Sequence, residues 1–187
     1  MARVPYITPE ELTERNQDLL ARDITLNRAL ANSPGGSRAF WTLGYWIRRD
    51  MRLDPRLREL AILAMGVLAQ NPYEYSHHVK IALESGVSET DIEQLGAAIN
   101  DGAHGFSVAD TLVFTAAREV YDGPGISAST FERLGEHFDS EQLIELCVTL
   151  VFYLGAVRLL ASLDIDVEPE YQGYLERFPL PSLSTHV

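Results

Sequence analysis

The chain has 187 residues and a formal net charge of −12, from 27 acidic and 15 basic side chains. That balance excludes nucleic acid or an anionic membrane as a partner held by a broadly basic surface, because phosphate binding needs clustered Lys and Arg. At 46% hydrophobic and 22% charged residues, the chain reads as one soluble globular domain over 1–187. Cys147 is the sole cysteine, so no internal disulfide, CxxC redox pair or cysteine-based metal site can form. The expected compartment is a reducing cytoplasm. The first residues lack the apolar core of a signal peptide. The longest apolar run, 146–157, is about a dozen residues, against the ~20 that span a bilayer.

The elements follow in order. Thr8-Pro9-Glu10-Glu11 is a cap, a proline and an acid, which opens a short helix. A second helical stretch covers 24–30. Ser33-Pro34-Gly35-Gly36 reads as a turn. Phe40, Leu43, Trp46 and Ile47 then repeat at helical spacing over 38–49. Asp54-Pro55 caps a helix running to about Gln70, and a further helix covers 72–86. Ser88-Glu89-Thr90-Asp91 and Ser107-Val108-Ala109-Asp110 are capping boxes, opening helices to about Ala98 and Tyr121. Residues 100–105 are a loop. Shorter and longer helices cover about 129–137 and 140–163. Residues 168–187 read as an extended, peripheral tail. No stretch alternates with period two, so the expectation is all-α, seven to nine helices. The motif-bearing part lies at about 56–100 and a C-terminal helical part at about 107–165.

Chemistry concentrates in 59–86. Glu59 begins the buried-looking run Leu60-Ala61-Ile62-Leu63-Ala64-Met65. After the break at Asn71-Pro72 come Tyr73, Glu74, Tyr75, His77 and His78. Asn71 suits the N-cap, Pro72 the first helical position and Gly86 the left-handed end. Glu74 and His78 are i and i+4 and share a face. A carboxylate would raise the His78 pKa, while the helix's positive end and burial would lower it. The same residues also make a plain helix start: Glu74 as cap support, Glu59 as a first-turn charge and His78 as a satisfied core histidine. His104 reads as a loop residue, His137 as a helix-end cation and His186 as part of the tail. Cys147 reads as a small core residue. Arg48, Arg49, Arg52, Arg56 and Arg58 form a basic cluster in an acidic chain, either a solvated face or a site for a carboxylate.

Arg58-Glu59-Leu60-Ala61-Ile62-Leu63, Tyr73-Glu74-Tyr75-Ser76-His77-His78-Val79 and Gly86-Val87-Ser88-Glu89-Thr90-Asp91-Ile92 resemble the carboxymuconolactone decarboxylase family, which includes the alkylhydroperoxidase D proteins. The resemblance implies an all-helical bundle assembled as a dimer, trimer or hexamer. In the peroxidase branch a glutamate, a CxxC pair and a histidine form a thiol–proton relay. Here the glutamate and histidine fall on Glu59 and His78, but the two cysteine positions fall on Asn71 and Glu74. Neither can form a sulfenic acid or a disulfide, so a family label of peroxide reduction does not fit this chain. The decarboxylase branch needs no cysteine, and its substrate class is an unsaturated lactone bearing a carboxylate.

The expected function is therefore acid–base chemistry on a small carboxylated or lactone substrate: decarboxylation, isomerisation or hydration/dehydration. His78 is the expected proton carrier, Glu59 its orienting partner, Glu74 a second acid–base group and Tyr73 a donor to oxyanion charge. Asn71, His77 and Arg49 are the expected substrate contacts, although His77 points about 100° from His78 on a helix, so that one of the two lines the site. The alternative is a binding or assembly protein on the same scaffold. Adjacent histidines rarely converge on one ion, so no metal is expected, and no cofactor is implied. The apolar helices at 40–47 and 143–160, together with the resemblance, imply a homo-oligomer.

Overall fold

In a computed structural model, residues 2–183 are described; His186 lies outside them. Among these residues are nine α-helices, two 3-10 stretches (Pro9–Glu11 and Glu14–Leu20) and no strand. The helices are α1 (Thr25–Leu30), α2 (Pro34–Arg49), α3 (Pro55–Leu68), α4 (Pro72–Glu84) and α5 (Glu89–Ile99). They continue with α6 (Val108–Asp122), α7 (Ala128–Leu134), α8 (Ser140–Leu163) and α9 (Pro169–Arg177).

The bundle is built around α3. Every residue from Arg58 to Leu68 is buried, as expected of a helix that is apolar all round. α4, α6 and α8 pack on it. One core cluster runs from Ile47 to Phe178, and each fully buried Leu or Ile in it contributes about 1.5–3 kcal/mol. α3 and α4 approach closely at Gly66, where a Cβ would stand 3.2 Å from the Tyr75 backbone nitrogen.

The corner between α3 and α4 positions everything that follows. Gln70 adopts φ 48°, a left-handed conformation, and its amide donates to the Val67 and Pro181 carbonyls. Asn71 then caps α4: its side chain accepts from the Glu74 backbone N–H at 2.9 Å. α4 ends as its glycine requires, with Gly86 at φ 92° and the Val87 N–H returning to the Ala82 carbonyl at 2.9 Å. Both capping boxes, at Ser88/Asp91 and Ser107/Asp110, are formed. Arg56 ties them to α3 by bonding Asp91 and Asp110.

Three expectations need correction. Pro34-Gly35-Gly36 is the first turn of α2, not a connecting turn, because Pro34 occupies the first helical position, where no N–H is needed. Cys147 is half-buried on the outer side of α8. Finally, 168–183, the described part of the expected tail, is not peripheral. Pro169 starts α9, which packs on α4 and buries Tyr171. Beyond it the Pro181 and Ser182 carbonyls accept from Gln70 and Asn100.

α8 is long and apolar enough to cross a membrane by length and composition, with a mean hydropathy of 2.0 over its 18-residue window, but half of that window is buried in the bundle. It also carries buried Glu145, which accepts from the Arg52 and Leu53 backbone N–H groups and fixes the corner between α2 and α3.

Candidate functional site

α3 and α4 bring Glu59, His78 and Glu74 into one line. His78 Nδ1 lies 2.7 Å from Glu59 Oε2, and His78 Nε2 lies 3.0 Å from Glu74 Oε1. Glu59 is fully buried and also accepts from Arg58 Nε at 3.0 Å. Arg58 is held in turn by the Arg48 carbonyl. Burial acts to raise the Glu59 pKa, but His78 and Arg58 together outweigh it and hold the carboxyl below its ordinary value. For His78, burial is the largest single influence and acts to lower the pKa. The two carboxylates overcome it and push the imidazole up to about 9. His78 is thus a cation at neutral pH, donating one ring N–H to Glu59 and facing Glu74 with the other. The Tyr153 ring stands edge-on to it at 5.1 Å, and burial, followed by Glu74 and Glu59, raises the Tyr153 phenol.

The next residue along α4 has a different setting. The His77 ring is sandwiched between Tyr73 at 4.1 Å and Tyr171 at 3.5 Å. Its Nε2 lies 2.7 Å from Glu168 Oε2. Its Nδ1 is 3.4 Å from Arg22 Nη2, which also donates to the Tyr171 hydroxyl at 3.1 Å. Burial lowers the His77 pKa, Arg22 adds to that effect, and the attraction of Glu168 and Glu74 does not compensate. At neutral pH His77 is a neutral imidazole with its proton on Nε2, because Glu168 can only accept there. Burial acts to raise the Glu168 pKa, but His77 and the Thr25 backbone N–H bring it down to about 2. The same carboxylate accepts from the Thr25 hydroxyl and from Tyr73, at 2.8 and 3.2 Å.

Both histidines line one cavity, together with Trp41, Tyr73, Glu74 and Tyr153. The expectation that only one of them would do so is corrected: α1 and the segment before it, through Arg22, Ile24 and Leu26, wall the second flank, which the rotation of α4 alone does not reveal. The cavity is narrow, about 30 Å³, room for a water or two and not for an organic substrate. Beside it opens a vestibule of about 510 Å³, the size of a small-molecule site. Its basic lining is Arg22, Arg48, Arg49, Arg58 and Lys80, with Glu84 the one acidic side chain. Arg22, Arg48 and Ile81 belong to both spaces and form the partition between them. Among the described residues, no carboxylate lies within ion-pair distance of Arg22, Arg48, Arg49 or Lys80.

The other expected contacts divide. Arg49 lies in the vestibule with its guanidinium over the Tyr45 ring, outside the inner cavity. Within the cluster at 48–58, Arg48, stacked on Trp41 and Tyr45, is the member that reaches the inner cavity. Arg52 is taken up by Glu141 and Asp139 on the surface. Asn71 does not line the cavity: its amide is used as the α4 cap and as a donor to the Val157 carbonyl. Tyr73 lines the cavity, but its hydroxyl donates to Glu168 and accepts from the Leu26 N–H, so it is not a free oxyanion donor. Sequence reasoning missed Arg22, Tyr153, Glu168 and Tyr171. Of these only Glu168-Pro169 carried a local signal, the same residue-before-proline helix start seen at Asp54-Pro55 and Asn71-Pro72. Among the described residues no group of three or more His, Cys, Asp or Glu is arranged to hold a metal ion.

Residues 34–119 match the Carboxymuconolactone decarboxylase family. Among curated protein sequences none matches. Among solved structures, one similar chain is a peroxidase-related protein with an alkylhydroperoxidase AhpD core from Ralstonia eutropha. It has a TM-score of 0.80 and 20% identity, covering 93% of this chain and 95% of its own. The debrominase Bmp8, as a variant in complex with 2,3,4-tribromopyrrole, has a TM-score of 0.74 and 17% identity, over 95% and 100% of the two chains. A peroxidase-related protein from Silicibacter gives 0.73 and 17%, over 91% and 93%. At these identities the likeness is one of fold.

Proposed function

We propose that this chain, whose residues 34–119 match the carboxymuconolactone decarboxylase family and which has a single cysteine, is an acid–base enzyme acting on a small anionic substrate, a carboxylate or a carboxylated lactone. The reaction class is decarboxylation, isomerisation or hydration/dehydration. The observation that carries this reading is the unbroken line Glu59–His78–Glu74, ending at a cavity. Glu59 orients the imidazolium, His78 stores a proton, and Glu74 is positioned to pass it inward. Glu74 stands at the position of the family's second cysteine, so a carboxylate takes the place of a thiol. Peroxide reduction through a cysteine pair is not available to such a chain.

The substrate class is supported by the vestibule. In a chain of net charge −12, four cationic side chains with no carboxylate partner among the described residues, Arg22, Arg48, Arg49 and Lys80, line one opening and focus the potential on anions. The complex of the similar debrominase with 2,3,4-tribromopyrrole supports a scaffold that takes small planar rings, and the vestibule, not the inner cavity, has the room for one.

The experiment is consumption of small carboxylates and lactones by purified protein, compared with Glu74→Gln and His78→Gln. Loss of a positioned acid–base group costs about 10²–10⁴ in rate. Variants that fold and turn over at the wild-type rate would remove the proposal. A second reading, binding without chemistry, draws on the narrowness of the cavity and the full pairing of Glu59 and His78. It predicts ligand retention with no product. We further propose a homo-oligomer joined through the outer face of α2 and α8, where Leu43, Ile144 and Val151 are 40%, 60% and 62% exposed. Light scattering that gives a monomer mass would exclude it.

A further inference from the structure

The mechanism above uses His78 and leaves His77 idle, although both face the same cavity. We propose that His77 is the proton acceptor of the site and that Arg22 is its gate: an anion bound in the vestibule draws the Arg22 guanidinium off His77 Nδ1 and uncovers it. This rests on the acid–base reading, and it assigns the two histidines opposite roles.

Four observations support it. First, the His77 tautomer is fixed. Glu168 is an acceptor only and sits 2.7 Å from Nε2, so the proton is on Nε2 and the lone pair on Nδ1. Second, the ring cannot turn away, because Tyr73 and Tyr171 clamp its two faces. Third, the contact that covers Nδ1 is weak and shared. One nitrogen of Arg22 serves both Nδ1 at 3.4 Å and the Tyr171 hydroxyl at 3.1 Å, and no carboxylate among the described residues competes for the guanidinium. An oxyanion offers a charge-assisted, bidentate partner that neither of these neutral acceptors can match. Fourth, Arg22 lines both the narrow cavity and the vestibule and stands between them. Its departure frees the base and removes part of the wall, so that access and activation become one event.

The groups facing His77 are Glu168 and Tyr171 from the α9 region, Arg22 from the segment before α1, and Tyr73 and Glu74 from α4. Arg22 disfavours a proton on Nδ1 while it stays, and its removal leaves Glu168 to stabilise the imidazolium. A proton leaving substrate carbon or water goes to Nδ1. An equal proton is delivered from His78 by way of Glu74 to the opposite end of the substrate, so the protein's net charge is unchanged over the step. The separation of two neighbouring titratable groups into a standing acid and a standing base is the arrangement such chemistry needs.

The test is the ring ¹⁵N spectrum of uniformly histidine-labelled protein at pH 7, assigned with His77→Gln and His78→Gln and read with and without benzoate as the anionic probe. The expected result is a cationic His78, a neutral His77 protonated at Nε2, and a downfield movement of His77 Nδ1 as benzoate saturates the site. Arg22→Ala should show that movement without benzoate, and Arg22→Lys an intermediate one. Glu168→Gln should lose the fixed tautomer. A His77 that is cationic or protonated at Nδ1 in the wild type overturns the proposal. So does the absence of any benzoate-induced change, or an Nδ1 position that Arg22→Ala leaves unmoved. None of these readouts requires turnover. A chain that passes them and consumes no substrate fails the enzyme reading, while one that turns over with a silent His77 fails only this inference.

Discussion

His77 and His78 are covalent neighbours on one helix, yet their surroundings make them different reagents. His78 is held between two carboxylates, from α3 and from one turn earlier on α4. His77 contacts one carboxylate, one guanidinium and two phenol rings, all but the Tyr73 ring of α4 supplied from near the ends of the chain. Both are buried, and burial lowers both pKa values. The number of opposite charges in direct contact decides the outcome: two carboxylates overcome burial at His78, whereas one in contact, aided from further off by Glu74 and opposed by Arg22, does not at His77. Residue type and solvent exposure therefore say little about a histidine, and the charges at its two nitrogens say most.

The largest expected effect comes from breaking the His78 side. Glu59→Gln keeps the shape but leaves Arg58 and a protonated His78 without their shared counter-charge inside the core. Removing one partner from a buried ion pair costs about 3–5 kcal/mol. For a domain of this size that is a fall in melting temperature of roughly 10 °C, read by calorimetry at pH 7. The matching change on the exposed Arg52–Glu141 pair, Glu141→Gln, should cost less than about 1 kcal/mol. Equal shifts for the two variants would mean that the buried line has no special weight.

The pH dependence sharpens the comparison. His78 has a folded-state pKa raised to about 9, above the ordinary histidine value near 6.5. Its contribution to stability is thus complete below about pH 6.5 and is lost as pH rises through 9. Glu168 has the opposite sign. Its folded-state pKa is depressed to about 2, so its contribution is present above the ordinary carboxylate range and is lost as pH falls through 2. The stability gap between wild type and His78→Gln should therefore narrow between pH 6.5 and 9.5 in urea titrations. A gap that is flat across that window would show that His78 is not charged in the folded chain.

The two flanks of the cavity also differed in how far the sequence revealed them. Glu59, Glu74 and His78 were legible because local rules reach them. An i, i+4 spacing, a cap and an apolar run fix their faces before any tertiary contact is known, and the helical class was legible for the same reason. The setting of His77 is assembled from sequence separations of 55 to 149 residues, through Arg22, Glu168 and Tyr171. No periodicity links such positions. Glu168 before Pro169 looks like an ordinary helix start, and only the packing of α9 on α4 turns it into the partner of His77. The arginine cluster at 48–58 showed a related limit. Its members face different ways, and their neighbours sort them into a core ion pair, surface pairs and a vestibule.

Asn71 provides the smallest test, and it separates scaffold from site. The resemblance puts it at the position of a cysteine in the family's peroxidase branch, yet its amide caps α4 through the Glu74 N–H and donates to the Val157 carbonyl. Asn71→Ala should cost about 1 kcal/mol, the worth of an N-cap, and Asn71→Ser, which can still accept from that N–H, should recover most of it. Because Glu74 lies on the capped turn, Ala should also loosen the 3.0 Å contact between Glu74 and His78, whereas Ser should not. The discriminating measurement is the His78 titration by NMR in both variants. A lowered His78 pKa in Ala that returns in Ser places Asn71 in the role of positioning Glu74. An unchanged value in both, with the stability loss intact, makes it a cap alone, and then the departure from cysteine at this position has no consequence for proton chemistry.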